Sequence, residues 1–265
     1  MSKLTLTGLY RYPVKSLAGE ALRALEVDAR GLRLDRHWML IDRDGRFLTQ
    51  RQQPRMTLIR TLLDDADGLL LQAPGMPDLQ VPVAGGERRE VVVWQDRVSA
   101  APVGRAVDQW LSDFLATPCH LVVMPDEANR PVDQDFAEPS DQVGFADGFP
   151  FLLISQGSLE DLNARLEQPV PMQRFRPNLV VSGCQAFAED GWQRIRIGQI
   201  EFRVAKACSR CIIPTIDPQT GERGREPLQT LMSYRKRDNK TYFGQNLVHE
   251  QCGQLELGMP VEVLA

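Results

Sequence analysis

Two cysteines three residues apart, Cys208 and Cys211, lie in the run Val204-Ala205-Lys206-Ala207-Cys208-Ser209-Arg210-Cys211-Ile212-Ile213-Pro214-Thr215. Thiolate sulfur is a soft metal ligand. Here it stands beside a hydroxyl and a guanidinium, groups that hydrogen-bond polar ligands. The pair alone allows several chemistries. A structural zinc site takes four Cys or His ligands, yet Cys119, Cys184, Cys252 and the three histidines form no second pair at finger-like spacing. A thioredoxin-like dithiol opens a helix whose dipole lowers a thiol pKa. The β-branched Ile212, Ile213, Thr215 and Ile216, with Pro214 among them, disfavour a helix. Two ordinary buried cysteines remain the plain alternative, since free Cys is among the most buried residue types.

The elements that must hold this loop are strands. Residues 194–197 and 200–204 alternate polar and apolar around Gly198-Gln199, a two-residue hairpin whose leading Gly suits a type II′ turn. Upstream, Pro177 keeps Arg176 from helical angles, so Arg174, Arg176 and Asn178 should share one face of an extended segment ahead of the apolar Leu179-Val180-Val181. The first third reads as short strands at 3–14, 21–27, 37–41, 57–63, 69–71 and 90–94, with turns at Asp42-Arg43-Asp44-Gly45 and Ala84-Gly85-Gly86. Val107, Trp110, Leu111 and Phe114 fall at helical spacing. Residues 124–148 form a long polar surface loop, and 149–155 a buried strand. Ser158 with Asp161 looks like a helix cap. Pro227 opens a helix ending near Arg235 and Lys236, and strands at 242–248 and 255–264 close the chain.

At 265 residues, 43% hydrophobic and 25% charged, the composition is that of a soluble globular protein with room for one large domain or two medium ones. The net charge of −4 argues against general nucleic-acid binding, which needs a basic surface. The first residues alternate like a strand and lack the apolar run of a signal peptide or membrane anchor. Five cysteines fit free thiols in a reducing compartment. The expectation is a cytoplasmic protein without membrane or nucleic-acid partners. Walker A, G-x-G-x-x-G after a strand, G-x-S-x-G and H-E-x-x-H patterns are all absent from the sequence.

A series of ordered motifs resembles the MOSC-domain proteins, and within them the branch of the mitochondrial amidoxime-reducing component and its bacterial relatives. It comprises Tyr12-Pro13-Val14-Lys15-Ser16, Asp35-Arg36-His37-Trp38, Arg174-Phe175-Arg176-Pro177-Asn178, Gly183-Cys184, Ala207-Cys208-Ser209-Arg210-Cys211, Asp217-Pro218, Thr220-Gly221, Glu226-Pro227-Leu228 and Phe243-Gly244-Gln245-Asn246. The resemblance implies a β-rich α+β fold, with an N-terminal β-barrel-like module (1–118) packed on a mostly β MOSC domain (119–265). A shared pocket would lie where the two meet. It implies a molybdenum cofactor, Mo-molybdopterin, with Cys211 as the protein thiolate on the metal and the catalytic cysteine. Lys15, Ser16 and Arg36 match positions contacting the cofactor's phosphate end. Asp147, Gly148, Arg176, Asn178, Ser209, Arg210 and Asn246 match positions lining the same site, while Cys208 packs beneath the loop and Trp38 and Trp94 are candidates for its walls.

The activity implied is reduction of N-hydroxylated small molecules: amidoximes, hydroxylamines and N-hydroxylated bases. No clustered cysteine set for an iron–sulfur centre is present, so electrons should come from a separate protein, ferredoxin-like or a flavin reductase. Two alternatives use the same residues. One is a non-enzymatic carrier of the cofactor; the other is a sulfane-sulfur carrier with a persulfide on Cys211.

Overall fold

Alternating apolar residues in short runs give a β-rich α+β architecture with three α-helices among the described residues of the computed structural model, 3–64 and 66–265. The largest sheet has nine strands. Its order is Val261–Val263, Arg194–Ile197, Ile200–Ser209, Lys240–His249, Phe151–Ser155, Leu179–Ser182, Thr5–Arg11 and Glu20–Ala21, with Lys236–Arg237 pairing on the Lys240–His249 strand. All its pairings are antiparallel except that of Phe151–Ser155 with Leu179–Ser182, where Leu153 faces Leu179. A parallel pair needs a crossover, and the helix Gln156–Asn163 lies in that connection.

The first strand of the chain therefore completes a sheet built mostly from the last 120 residues or so. Thr5–Arg11 pairs with Leu179–Ser182, and Ala24–Asp28 pairs with Gly253–Glu256. This places the turn at Lys15 within reach of the later strands. A four-stranded sheet (Trp38–Ile41, His120–Val123, Asp96–Pro102, Arg89–Val93) and a three-stranded one (Arg60–Leu63, Leu69–Gln72, Leu79–Gln80) make up most of the N-terminal unit. Its core packs Val14, Leu17, Trp38, Met56 and Ile59 against Val107, Trp110, Leu111 and Phe114 of the helix Arg105–Leu115, the apolar stripe read from the sequence. We propose the division at 1–118 and 119–265 as sequence units, with the first strands crossing to the second and His120–Val123 crossing back to complete the four-stranded sheet of the first.

Several local expectations are corrected. The segment 57–63 is not one strand: Pro54–Leu58 forms a 3-10 turn and only Arg60–Leu63 extends, as Pro54 favours a helical start. Ser155, not Ser158, caps the helix Gln156–Asn163. Its hydroxyl accepts the Ser158 amide at 3.1 Å, while Ser158 Oγ donates to Glu189 Oε1 at 2.7 Å. The chain before Pro177 is not extended: Met172–Phe175 is a 3-10 turn, and Arg176 takes the left-handed conformation (φ 56°). Arg174 consequently points elsewhere, to Asp217 Oδ2 at 2.7 Å. The final segment breaks into Gly253–Glu256 and Val261–Val263 around Gly258-Met259-Pro260, where Gly258 has φ 91°. Asp96–Pro102 and His120–Val123 are strands that the sequence reading did not identify.

Residues 124–150 carry no helix or strand, but they are not a loose surface loop. Val132, Val143, Phe145 and Ala146 are buried, as is Arg130 at 2% exposure. Arg130 donates to the carbonyls of Gly144 (2.6 Å) and Ala146 (2.5 Å) and to Asp96 Oδ2 (2.8 Å). A buried guanidinium with carbonyl and carboxylate partners satisfies its donors, and it fixes the segment leading into Asp147.

Candidate cofactor site

Both units contribute to one cavity. Its walls include Lys15, Ser16, Arg36, Thr49 and Arg51 from the N-terminal unit, then Asp147, Gly148, Arg176, Asn178, Cys208, Ser209, Arg210, Cys211 and Asn246 from the later chain. Each residue that the resemblance assigned to the cofactor or the metal lines it. The walls enclose about 810 Å³ including the open mouth.

The N-terminal wall is made by tight turns. Leu17 N–H closes on Val14 O at 3.1 Å, with Ser16 at φ 67°, and Arg36 sits at φ 47°. Left-handed angles are uncommon for residues other than glycine, and such strain gathers at functional sites. Ser16, Arg36 and Arg176 all show it, and all three line the cavity. Lys15, only 4% exposed, donates to Phe145 O at 2.7 Å and to Asp147 Oδ1. Burial lowers its pKa to about 8, with the nearby Arg130 and Arg36 charges adding to the fall and Asp147 opposing it. Asp147, whose side chain is 57% exposed, also receives Arg51 Nη2 and Trp94 Nε1, both at 3.3 Å. Its crowded setting pushes its pKa up, but Lys15, Arg51 and Trp94 together hold the carboxyl below its ordinary range.

Tyr12 organises two more cations. The guanidiniums of Arg36 and Arg176 each lie over its ring, 4.2 Å from the centroid, while its hydroxyl donates to Pro177 O at 3.1 Å. Asp35 fixes the group from behind, accepting Tyr12 N–H at 2.8 Å and Arg36 Nη1 at 2.5 Å. Arg176 donates to Leu17 O at 2.6 Å. Burial and the neighbouring Arg36 bring its pKa down to about 10. Asn178, 2% exposed, ties the walls together: its Oδ1 accepts from Arg36 Nη1 (3.1 Å) and Leu152 N–H (3.3 Å), and its Nδ2 donates to Tyr10 O (3.2 Å).

The thiol wall is the end of the hairpin strand Ile200–Ser209. Gly198 at its turn has φ 59°, as the hairpin reading requires. The pairing of this strand with Lys240–His249 shifts register between Val204 and Lys206 and again between Ala207 and Ser209. Bulges bend a strand and re-aim side chains, and here they turn the segment toward the cavity. Opposite, Gly244 has φ 83°, and a Cβ would stand 2.8 Å from Leu153 O. Arg210 Nη1 donates to Cys208 Sγ at 3.0 Å and Nη2 to Phe175 O at 2.7 Å, leaving Nε buried without a partner. Cys208 packs against the core as expected. Cys211 is half-buried. Among the described residues no group of three or more His, Cys, Asp or Glu could hold a metal ion.

A family model described as the MOSC N-terminal beta barrel domain matches residues 3–118, and one described as the MOSC domain matches residues 140–262. The chain belongs to the MOSC family. Mitochondrial amidoxime-reducing component 1 of Homo sapiens is 40% identical over 280 residues, covering 98% of this chain and 83% of that protein. Mitochondrial amidoxime reducing component 2 of Bos taurus is 36% identical over 277 residues, covering 97% and 82%. Within the MOSC family the chain lies in the branch of these components.

Thr49 and Arg51 are site residues of this MOSC protein that sequence reading missed. They lie in Thr49-Gln50-Arg51-Gln52-Gln53-Pro54, a polar run without periodicity; Gln50 Nε2 donates to Ser16 O at 2.7 Å and holds the run to the Lys15 turn. Trp94 does reach the site, hydrogen-bonded to Asp147 and under the Arg51 guanidinium at 4.8 Å. Trp38 does not line this cavity; it is core. At Gly148 an added Cβ would meet nothing within 4 Å, so no protein group demands glycine there, whereas close approach of a ligand to the backbone would.

Proposed function

We propose that the chain is a molybdenum-cofactor-dependent reductase of N-hydroxylated compounds, such as amidoximes, hydroxylamines and N-hydroxylated bases, supplied with electrons by a separate redox protein. The observation that carries this reading is the convergence, in one cavity, of the Cys211 thiol with the Lys15, Arg36, Arg51 and Arg176 cations from four distant places in the chain. The residues fit the group. A phosphate-bearing pterin needs cations and hydrogen-bond donors at one end and a soft protein sulfur at the metal, and the unpartnered Arg210 Nε offers a further donor.

In this reading Cys211 supplies the thiolate, and Lys15, Ser16, Arg36 and Arg51 grip the phosphate end. Arg176, Ser209, Asp147, Asn178 and Asn246 surround the pterin, with Gly148 admitting it closely. When bound, the cofactor supplies the metal centre at which the N–OH oxygen leaves as water, with consumption of two electrons and two protons. The protein orients that centre, limits water at the buried end, and keeps the cations charged. Lys15, with its pKa near 8, retains most of its charge at neutral pH. The five cysteines, all free, fit the reducing cytoplasm, where we place the chain; no helix of the described residues is long and apolar enough to cross a membrane.

The test is reduction of benzamidoxime by protein made in a cofactor-competent host, with dithionite-reduced methyl viologen as donor. Formation of benzamidine is expected. Protein that binds the cofactor but yields no benzamidine would favour a carrier, and a persulfide on Cys211 without molybdenum would favour sulfur handling.

A further inference from the structure

A second cavity shares the wall Ser209-Arg210-Cys211 with the first, and its other lining residues are Leu228, Met232, Lys236, Asn239, Lys240 and Thr241. Its character is different. Met232 is 47% exposed and Ile212, adjoining Cys211, 38%, so apolar surface lies open to water beside the cysteine loop. The rim is basic. Residues 228–248 contain Arg235, Lys236, Arg237 and Lys240 against one acidic residue, Asp238.

Arg235 is turned inward to Asp190 Oδ2 at 2.5 Å. Among the described residues Lys236, Arg237 and Lys240 form no ion pair, and Arg237 instead lies over the Tyr242 ring at 5.0 Å. The chain as a whole is acidic, and many of its arginines elsewhere are matched with carboxylates, as Arg196 is with Glu201 and Arg203 with Asp141, whereas among the described residues these three cations stand together without one. The backbone that carries the three cations is fixed by a tight turn. Asp238 and Asn239, at φ 48° and 60°, form the two-residue turn between Lys236–Arg237 and the strand beginning at Lys240.

We propose that this apolar patch with its basic rim is the docking surface for an acidic electron-carrier protein. An apolar centre inside a polar rim is the anatomy of a protein interface, and unpaired cations steer an acidic partner to it. Position supplies the redox part of the argument, and rests on the reductase reading: a carrier seated here is separated from the first cavity by the cysteine loop alone, leaving the other mouth free for substrate. Each encounter oxidises one carrier by one electron. Two encounters, with two protons from solvent, convert N–OH to N–H and water.

The experiment uses the holoprotein with a reduced plant-type [2Fe–2S] ferredoxin, an acidic one-electron carrier, as probe. Calorimetry measures binding, and benzamidoxime reduction is followed with ferredoxin and, separately, with methyl viologen. The double substitution Lys236→Glu/Lys240→Glu, with Lys236→Gln/Lys240→Gln as the milder form, should weaken ferredoxin binding and ferredoxin-driven turnover roughly tenfold or more at low salt. The gap should close at high salt, and viologen-driven turnover should be unchanged. Ferredoxin binding that is absent in the wild type or indifferent to charge reversal would overturn the docking surface. So would a dimer of this chain that covers the patch and is dissociated by the substitutions. Failure of viologen to drive the wild type would overturn the reductase reading instead, and the calorimetric arm would still report on docking.

Discussion

The cationic wall and the thiol wall of the cavity are prepared to different degrees. Lys15, Arg36 and Arg176 are fixed before any ligand arrives: each donates to carbonyl or carboxylate oxygens, and two of them lie over one tyrosine ring. The cysteine loop leaves groups open, with the half-buried Cys211 next to Arg210, whose Nε has no partner. The difference teaches that the cationic wall is preorganised, which reduces the cost of ordering on binding, whereas the sulfur end is left open, as the proposed metal ligation would require.

Substitutions can break this comparison at either wall. The largest effect is expected from Cys211→Ala: the other sulfur at the cavity, Cys208 Sγ, is engaged by Arg210 Nη1, so amidoxime reduction should vanish in the viologen assay. The segment carrying Asp147 depends on Arg130, and Arg130→Met would leave the Gly144 and Ala146 carbonyls without their buried donor. Asp96, 45% exposed, keeps its solvation, so the loss expected is about 1–3 kcal/mol for each unsatisfied carbonyl, read as a lower urea midpoint. At the cationic wall, Lys15→Met removes one charge-assisted contact and should weaken retention of the phosphate-bearing cofactor by about 1.5–3 kcal/mol, measured by dialysis, without unfolding the protein. Cys208→Ala should cost about 1–2 kcal/mol of stability while keeping metal and most activity, since Cys208 only packs and accepts from Arg210.

The pH dependence sharpens the same contrast. Lys15 is lowered to about 8 chiefly by burial, so it is cationic below that value and loses its charge as pH rises through it. Affinity of the empty site for inorganic phosphate should thus be full near pH 7 and fall above pH 8, with proton uptake on binding near pH 8.5 as the anion restores the charge. A phosphate affinity flat from pH 7 to 9.5 would remove Lys15 from the anion site.

Much of the candidate site was legible because its residues sit in ordered local motifs; those assigned to the cofactor or the metal all reach one cavity, while Trp38 is core. The hairpin at Gly198 and the helix Arg105–Leu115 were legible from period alone. The rest fails for identifiable reasons. Asp96–Pro102 buries only Val98 and Ala100 deeply, too little apolar signal to mark a strand. Ser155 and Ser158 are equally good caps by type, and tertiary bonding to Glu189 decides between them. Arg130 looks like any loop arginine until its carbonyl partners fold around it. Arg176 adopts a left-handed angle before proline, against local preference, with its guanidinium placed between Tyr12 and Leu17 O. Arg51 carries no signal in its own neighbourhood; its role arises from Asp147 and Trp94, distant in sequence.

The most direct test of the central claim is the molybdenum and pterin content of the wild type and of Cys211→Ala, both made in a cofactor-competent host and measured by mass spectrometry of the metal and fluorescence of the oxidised pterin. The account predicts near-stoichiometric molybdenum and pterin in the wild type and loss of molybdenum in Cys211→Ala. Wild-type protein free of both, or undiminished molybdenum in Cys211→Ala, would contradict it.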